Sequence, residues 1–441
     1  RSGFQDVAVT MFYLPEAIQE YFGDGYSWQV NLSYFIEEVP LGTAGSVKNA
    51  ASFLKETFLV ISGDALTDFD LQAAVRFHRE KGALATLVLT KVETPLEYGV
   101  VITDGEGRIK QFLEKPSWGE VFSDTVNTGI YVLEPEIFND IPPGEEFDFS
   151  KNLFPLLLAK GAPLYGYVAP GYWSDIGNLE QYRQAHYDLL AGRINLPLPG
   201  EEIAPGIRVE EGAWLHPEAK LQAPLLLGPY CRVGPGVYLE GSVLGANCVL
   251  MPMGSIKRSV LWDHAYLGAR VEVRGAILCD HVRLKDRAAI FEGAVVGDDC
   301  SIGQGATVRP DTKLWPGKSV DSGVTVAENL VWGNRWSRSI FGSHGVSGLV
   351  NVELTVELAS KLGAALGSTL PPKAQVVVGA DNYRSSRMLK RALIAGLLSA
   401  GVDVFDLGSV TTPVARHAVV AGGAQAGVHV HLAARDPRIA V

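Results

Sequence analysis

A short glycine-flanked segment and an aspartate that follows an apolar strand carry the clearest chemistry in this sequence. The segment Leu41-Gly42-Thr43-Ala44-Gly45 predicts a turn, and the strand Phe58–Ile61 ends in Ser62-Gly63-Asp64. Glycines let backbone N–H groups approach a base or a phosphate, because no Cβ stands in the way. Open α/β sheets bind ligands at the carboxyl ends of their strands. The two motifs together predict a site for a nucleotide and its metal, with Asp64 as a metal ligand.

Asp175, in the stretch Tyr172-Trp173-Ser174-Asp175-Ile176-Gly177, is the second acidic candidate. Mg²⁺ takes one or two carboxylates and leaves its other positions to water and substrate phosphates. Two aspartates from separate strand ends, Asp64 and Asp175, meet that requirement. Each also has an ordinary interpretation, Asp64 as a helix cap or turn residue and Asp175 as the N-cap of the helix that follows at Leu179.

Three further segments place polar groups near strand edges. Lys115, in Glu114-Lys115-Pro116, would act as a point charge beside a phosphate, and Pro116 would stiffen its turn. Asn127-Thr128 begins a strand with an amide and a hydroxyl, which suit the hydroxyls of a sugar or else form an Asx-turn. Tyr98-Gly99 adds an aromatic group near another strand edge.

The elements that must position these residues alternate between strand and helix from residue 1 to 195. Strands are predicted at 6–13, 31–37, 58–61, 84–91, 109–113 and 127–133, and helices at 14–22, 71–81 and 182–191. This alternation predicts an α/β domain over 1–195, with a mixed, mostly parallel sheet covered by helices on both faces.

From 205 to 330 an aliphatic residue recurs every six positions, with occasional slips of one residue. Neither an α-helix nor an ordinary strand has this period, whereas a parallel β-helix of hexapeptide rungs does. The residues expected to point into the coil are Val209, Leu215, Leu221, Leu227, Val233, Leu239, Leu244, Leu250, Ile256, Leu261, Leu267, Val273, Leu278, Leu284, Ile290, Val296, Ile302, Val308, Leu314 and Val320. We therefore predict a left-handed β-helix, whose flat rungs favour contacts between copies of the chain. His264 and His281 lie in regular rungs and are expected at the surface.

From 338 to 441 the pattern returns to α/β. Helices are predicted at 352–366, 386–400 and 413–421, and strands at 375–379, 402–407 and 427–432. This is about one doubly wound unit, cut short at its end.

Composition limits the class of protein. The chain has 441 residues and a net charge of −11, which argues against a nucleic-acid surface. It has no run of about 18 apolar residues and no signal peptide, so no membrane association is expected. Its four cysteines are far apart and form no C-x-x-C pair, which disfavours zinc and suits buried thiols in a reducing cytoplasm.

Taken in order, the motifs of residues 1–195 resemble those of the nucleotide-sugar pyrophosphorylases, which are sugar-1-phosphate nucleotidyltransferases. The β-helix behind them is familiar from that family, and residues 338–441 resemble the first domain of an α-D-phosphohexomutase. The layout is similar to bacterial fusion proteins that join a mannose-1-phosphate guanylyltransferase to a mutase-like tail.

The resemblance implies a role for each candidate residue, with Lys115 and Asp64 as the catalytic ones. By it, Leu41, Gly42, Thr43, Ala44, Gly45 and Gly63 contact the nucleotide, Asp64 and Asp175 hold Mg²⁺, Lys115 contacts the sugar phosphate, Glu114, Asn127 and Thr128 bind sugar hydroxyls, and Tyr98 and Gly99 shape the sugar pocket.

The implied reaction is attack of a sugar-1-phosphate oxygen on the α-phosphorus of a nucleoside triphosphate, with release of pyrophosphate. No protein nucleophile is needed, because the chain aligns the substrates and neutralises crowded phosphates. The resemblance implies GTP and GDP-mannose. Adenylyl-, thymidylyl- or uridylyltransfer to glucose 1-phosphate stays open, and so does a non-catalytic regulatory or scaffold protein.

Two departures from the family patterns carry further expectations. The family's first strand and its loop of the form G-G-x-G-T-R-x-x-P are absent, so we expect this 441-residue span alone to be inactive and to expose the edges of neighbouring strands. Phosphohexomutases carry a phosphoserine in T-A-S-H-N-P, where this chain reads Leu432-Ala433-Ala434-Arg435-Asp436-Pro437. Because alanine at 434 cannot carry a phosphoryl group, we expect no mutase activity.

Overall fold

The computed structural model describes residues 2–92, 99–114, 124–333, 335–336, 341 and 345–432. The chain divides into two compact units, Arg1–Leu198 and Pro199–Val441. Within the described residues, every helix is too short or too polar to cross a membrane. The domain boundaries drawn from the sequence at 195, 205, 330 and 338 stay predictions.

The first unit alternates between strands and helices, as the sequence predicts. Its strands are β1 Asp6–Met11, β2 Asn31–Ile36, β3 Phe58–Ile61, β4 Ala65–Thr67, β5 Ala85–Lys91, β6 Gly99–Thr103, β7 Ile109–Glu114, β8 Thr125–Leu133, β9 Leu164–Val168 and β10 Trp173–Asp175. Its α-helices are α1 Pro15–Phe22, α2 Gly42–Asn49, α3 Leu71–Lys81, α4 Phe154–Ala159 and α5 Leu179–Leu190, with short helical turns at Tyr26–Trp28, Pro135–Asp140 and Phe149–Leu153.

The main sheet of this unit is built around β8. It has the order β7-β6-β8-β5-β9, and β3 also pairs with β8. The sheet is mixed, as predicted, but most of its pairs are antiparallel, because β8 runs opposite to β3, β5 and β6. Only β5 and β9 form a parallel pair among the described strands of this sheet.

Helices cover both faces of the sheet, because alternate residues of β5 belong to different apolar clusters. Leu87 and Leu89 pack with Ala44 of α2 and with α4, whereas Val88 packs with Ala74 of α3. Strand periodicity sends successive side chains to opposite faces.

The strands β1 and β2 form a separate parallel pair. Among the described residues, β1 pairs only with β2 and β3 only with β8, so each has one edge without a neighbouring strand. The apolar side chains of Ile36 and Ile61 at the ends of β2 and β3 are exposed.

The second unit begins with a parallel β-helix. Its strands are β11 Glu201–Ala204, β12 Ile207–Val209, β13 Trp214–Leu215, β14 Lys220–Leu227, β15 Arg232–Val233, β16 Tyr238–Leu244, β17 Val249–Leu250, β18 Ser255–Lys257, β19 Val260–Leu261, β20 Tyr266–Leu267, β21 Glu272–Arg274, β22 Ile277–Leu278, β23 Arg283–Leu284, β24 Ala289–Ile290, β25 Val295–Val296, β26 Ser301–Ile302, β27 Thr307–Val308, β28 Lys313–Leu314, β29 Ser319–Val320, β30 Thr325–Val326 and β31 Arg335–Trp336.

The core of the coil confirms the six-residue period. From Leu227 to Val320, the aliphatic residues predicted to point inward belong to one buried apolar cluster. Val209, Leu215 and Leu221 pack against it from the first rungs. Two-residue strands stack in register on the next rung, as Val249 and Leu250 do on Tyr266 and Leu267.

The corners of the coil hold residues in the left-handed backbone region. Asn247, His264, His281 and Asp299 take one such corner on successive rungs, with φ values of 57°, 60°, 57° and 57°. Backbone hydrogen bonds join these rungs, for example from the His264 amide to the Ala246 carbonyl at 2.8 Å. Both histidines are exposed, as predicted.

The rest of this unit is an α/β region. It contains α6 Val356–Ser368, β32 Gln375–Ala380, α7 Arg384–Ser399, β33 Asp403–Ser409, α8 Thr412–Ala421 and β34 Ala426–Val430. The three strands form a parallel sheet of order β33-β32-β34. Helices α6 and α7 approach closely through glycine, since a Cβ on Gly396 would lie 1.9 Å from the Ser360 carbonyl oxygen.

Candidate active site

The structure brings the two predicted metal ligands onto neighbouring backbone segments, Asp64 just before β4 and Asp175 at the end of β10. Strands β10 and β4 form an antiparallel pair in which Asp175 lies opposite Ala65, the residue after Asp64. The Asp64 carbonyl oxygen accepts a hydrogen bond of 2.9 Å from the Ile176 amide. Asp64 is exposed and Asp175 is half-buried, so both carboxylates lie at the surface of the same two-stranded ribbon.

The ordinary interpretation of Asp175 is wrong. Helix α5 is capped by Asn178, whose side-chain oxygen accepts a hydrogen bond of 2.9 Å from the Gln181 amide. Asp175 ends β10 instead, three residues before the cap. A local capping role therefore does not account for this carboxylate.

Tyr172 anchors the start of β10. Its amide donates to the Asp68 carboxylate at 2.7 Å, and its hydroxyl donates to the Asp188 carboxylate at 2.8 Å. Asp188 also accepts a hydrogen bond from Arg193 at 2.8 Å. Burial, followed by the hydrogen bond to Asp188, raises the pKa of Tyr172 to about 12. Tyr172 therefore stays neutral at physiological pH and fixes the strand that carries Asp175.

The bulge in β8 lies beside both aspartate-bearing segments. The register with β5 shifts between Val88 and Leu89, and Gly129 adopts φ 75° there. A Cβ on Gly129 would lie 3.1 Å from the Ser62 hydroxyl, and the Trp173 indole N–H donates to the Thr128 carbonyl at 3.0 Å. Three segments that are distant in the sequence thus meet, namely 62–64, 127–129 and 173–175.

Two neighbouring residues of the bulge, both predicted to bind sugar hydroxyls, differ in what they can reach. Thr128 is buried, and its hydroxyl donates to the Val88 carbonyl at 2.7 Å, so this donor is used within the unit and the sugar-binding assignment stays a prediction. Asn127 is half-buried. Its amide nitrogen donates to the Tyr131 hydroxyl at 2.9 Å, and its oxygen accepts from the Gly129 amide at 3.1 Å as in an Asx-turn.

The segment Leu41–Gly45 is not a turn. Gly42 is the first residue of α2, and the Ala44 and Gly45 amides both donate to the Phe147 carbonyl at 2.9 Å. A Cβ on Gly42 would lie 2.8 Å from the same oxygen. The glycines therefore allow the helix to approach the chain at 145–147, and two of the N–H groups predicted to face a nucleotide are already used.

Thr43 ties the first turn of α2 to Asp148. Its hydroxyl donates to the Asp148 carboxylate and accepts from the Phe149 amide, each at 2.9 Å. The same carboxylate accepts from the amide of Ser150 at 2.8 Å. The sequence gives no strong signal for Asp148 as a partner of Thr43, because the two residues lie far apart along the chain.

Of the remaining candidates, Gly99 and Glu114 lie at the end of the β6–β7 hairpin. Gly99 is buried and pairs with Glu114, the last residue of β7. Lys115 and Tyr98 lie outside the described residues, as does the side chain of Glu114. Gly63 is exposed, and a Cβ added there would meet no atom of a non-adjacent residue within 4 Å.

The donors at this site suit a hard cation that also binds phosphate. No group of three or more His, Cys, Asp or Glu side chains in the described part of the chain could hold a metal by itself. Two carboxylates on adjoining strands fit Mg²⁺, which leaves its other positions to water and phosphate oxygens.

Comparison with known proteins assigns the family. Residues 1–192 match the family described as "Nucleotidyl transferase". A UTP–glucose-1-phosphate uridylyltransferase of Synechocystis is 36% identical over 283 residues, which cover 60% of this chain and 73% of that protein. A mannose-1-phosphate guanylyltransferase of Mycobacterium tuberculosis is 35% identical over 261 residues, or 56% of this chain and 71% of that protein. The chain belongs to the sugar-1-phosphate nucleotidyltransferases.

The other matches confirm the layout of this sugar-1-phosphate nucleotidyltransferase. Residues 206–308 match the left-handed β-helix (LbH) domain of EIF2B subunit epsilon, and residues 338–436 match domain I of phosphoglucomutase/phosphomannomutase. A solved structure of HddC from Yersinia pseudotuberculosis is 24% identical, covering 42% of this chain and 78% of that one, but its TM-score of 0.37 is too low to carry an argument. Members of the nucleotidyltransferase family use divalent metal ions.

Proposed function

We propose that this protein transfers a guanylyl group from GTP to mannose 1-phosphate, giving GDP-mannose and pyrophosphate, with Mg²⁺ as the metal. The observation that supports the proposal is the pairing of β4 with β10, in which Asp175 lies opposite Ala65 and the Ile176 amide donates to the Asp64 carbonyl. The guanylyltransferase of Mycobacterium tuberculosis supports the choice of base and sugar. Bound Mg²⁺ would neutralise phosphate charge and polarise the α-phosphate.

The chain's own residues act by binding and alignment. Asp64 and Asp175 would hold the cation, and the turn at Gly63 offers open space beside it for a phosphate. An oxygen of the sugar phosphate would then attack the α-phosphorus in line with the departing pyrophosphate, so no protein nucleophile is required.

The nucleotide contact is best assigned to the very start of α2. The amides of Leu41, Ala44 and Gly45 have acceptors within the unit. In the described structure, the amides of Gly42 and Thr43 have no such acceptor. N–H groups in the first turn of a helix are free to bind a ligand. We therefore assign nucleotide binding to Gly42 and Thr43, and a packing role to Ala44 and Gly45.

The sugar phosphate would lie near the bulge of β8. Asn127 precedes Thr128 and Gly129 of the β8 bulge, which contact Trp173 and Ser62, and we propose that its side chain reaches a sugar held next to the metal. We extend the proposal to Tyr98, Gly99, Glu114 and Lys115. Tyr98 and Gly99 would shape the sugar pocket, and Glu114 would bind sugar hydroxyls. The charge of Lys115 would contact the sugar phosphate. Thr128 is proposed to stabilise the bulge through its buried hydrogen bond to the Val88 carbonyl.

Uridylyl transfer to glucose 1-phosphate is the second candidate, because the Synechocystis relative carries that activity in its name. A full-length preparation should be incubated with each of four nucleoside triphosphates and with mannose or glucose 1-phosphate. Our proposal expects metal-dependent pyrophosphate release that is fastest with GTP and mannose 1-phosphate. Faster release with UTP and glucose 1-phosphate would support the second candidate, and no release with any pair would favour a scaffold protein.

Three further proposals concern the rest of the chain. The exposed side chains of Tyr230, Met253 and Trp315 support self-association through the β-helix, which light scattering would test.

The cysteines of the chain are free, which suits a reducing cytoplasm. Burial raises the pKa of Cys279 to about 12. The tail is proposed to lack mutase activity because of Ala434, which lies outside the described residues.

A further inference from the structure

One corner of the β-helix carries two stacked imidazoles that the nucleotidyl-transfer reaction does not use. The rings of His264 and His281 lie 4.7 Å apart between centroids, with 26° between their planes. Both side chains are exposed. Within the described structure, neither ring nitrogen of either residue takes part in a hydrogen bond.

This pair differs from the other close histidine pair of the protein. His429 lies 5.5 Å from His431 between ring centroids, but both of its ring nitrogens are engaged. Nδ1 bonds to the Thr412 hydroxyl at 3.1 Å and Nε2 to the Val410 carbonyl at 2.8 Å. Only the pair in the β-helix therefore offers ring nitrogens to an outside ligand among these described residues.

Carboxylates surround the pair. Asp263 and Asp280 precede the two histidines, and Asp298-Asp299 takes the same place on the next rung. Three of these carboxylates, those of Asp263, Asp280 and Asp298, each accept a hydrogen bond of 2.7 to 3.0 Å from a backbone amide of the preceding rung. These corner positions hold no lysine or arginine. The local field therefore attracts a cation.

We propose that His264 and His281 together bind one divalent transition-metal ion of the Ni²⁺, Cu²⁺ and Zn²⁺ class. Metal–nitrogen bonds are about 2.1 Å long, so two nitrogens roughly 3 to 4 Å apart can bind the same ion. Rotation of the two stacked side chains brings their ring nitrogens to that separation. Imidazole prefers these metals to Mg²⁺. Water fills the other positions, since no third side chain of the described residues completes a cluster.

The coil itself suggests the substitution that tests this site. Asn247 takes the same corner one rung earlier, with φ 57°, so asparagine fits the backbone that His264 and His281 adopt. The variants H264N and H281N should therefore keep the coil folded, which thermal melting followed by circular dichroism will verify. H417N is the matched control, because His417 is an exposed histidine on α8 that is remote in sequence from the pair.

The full chain would be titrated with NiCl₂ by calorimetry in excess MgCl₂, which would fill the proposed site at Asp64 and Asp175. We expect one Ni²⁺ per chain at neutral pH, affinity weakened at least about tenfold in each single variant, and loss of binding in the double variant. With CuCl₂, the electron paramagnetic resonance spectrum should show two equatorial nitrogens. Equal Ni²⁺ affinity in the wild type and the double variant, or loss of binding in H417N, would overturn the proposal.

Discussion

Asp64 and Ile176 are joined by a backbone hydrogen bond of 2.9 Å, in which the Ile176 amide donates to the Asp64 carbonyl. Because Asp175 precedes Ile176, this bond and the β4–β10 register bring the backbone segments that carry the two predicted metal ligands together. Hydrogen-bonded strands vary little in spacing, so the distance between these two backbone segments is set by strand pairing rather than by flexible loops.

The first prediction concerns these two carboxylates. Asp64→Asn and Asp175→Asn keep the size of the side chain but remove the charge that binds a divalent cation. Each change should lower the rate of metal-dependent pyrophosphate release on the order of 100-fold, with little effect on stability. Mn²⁺ binding, followed by electron paramagnetic resonance in the presence of nucleotide, should weaken in parallel.

Asp70→Asn is the control for that experiment. Asp70 caps α3 by accepting a hydrogen bond of 3.0 Å from the Ala73 amide, and asparagine caps helices equally well. This variant should retain full activity and full Mn²⁺ binding. If Asp64→Asn and Asp175→Asn bind Mn²⁺ as tightly as Asp70→Asn does, the metal site lies elsewhere.

The second prediction concerns the glycine at position 45. A Cβ there would lie 2.9 Å from the Glu145 carbonyl oxygen, which belongs to rigid backbone. Gly45→Ala should lower the free energy of unfolding by about 1 to 2 kcal/mol, since the clash outweighs the gain in helix propensity. Gly105→Ala, where a Cβ meets open space, should change it by less than about 0.5 kcal/mol. Urea unfolding of both variants measures the difference, and equal stabilities would refute the packing role of Gly45.

Local patterns predict much of the fold. Helix α3 and strand β3 occupy the predicted ranges, because Asp70 caps the helix and apolar residues fill the strand. The β-helix is also evident from sequence, since each rung repeats the same inward position. Features of this kind depend on neighbours along the chain or on a repeated period.

Contacts between distant segments are what local patterns miss. The antiparallel direction of β8 depends on pairing with β3 and β5, and no local signal encodes it. The helical start at Gly42 depends on Phe147, and the burial of Thr128 depends on Val88. The sequence proposes Asp64 and Asp175 as joint ligands from their positions at strand ends, but only the strand register shows that the two backbone segments meet.

The third prediction separates Thr128 from its neighbour Asn127. Thr128→Val keeps the shape of the side chain but leaves the Val88 carbonyl without its hydroxyl donor. An unsatisfied buried acceptor costs about 1 to 3 kcal/mol, so the unfolding midpoint in urea should fall while the KM for sugar phosphate stays unchanged. Asn127→Ala should leave the unfolding midpoint unchanged and raise the KM for sugar phosphate. An increase in KM for Thr128→Val with unaltered stability would show that Thr128 contacts the sugar after all.

The fourth prediction uses the raised pKa of Tyr172, which burial and the Asp188 carboxylate bring to about 12. The unfolded chain has a tyrosine pKa near 10, so the unfolded state loses this proton first as pH rises. The stabilisation from the neutral hydroxyl is therefore complete below about pH 10 and is lost as pH rises toward about 12. Tyr172→Phe lacks the hydrogen bond to Asp188 and should be less stable than the wild type near neutral pH. Urea midpoints measured from about pH 8 to about pH 12 should show that this difference narrows only above about pH 10. A difference that stays constant over the whole range would mean that the Tyr172 proton is not coupled to folding.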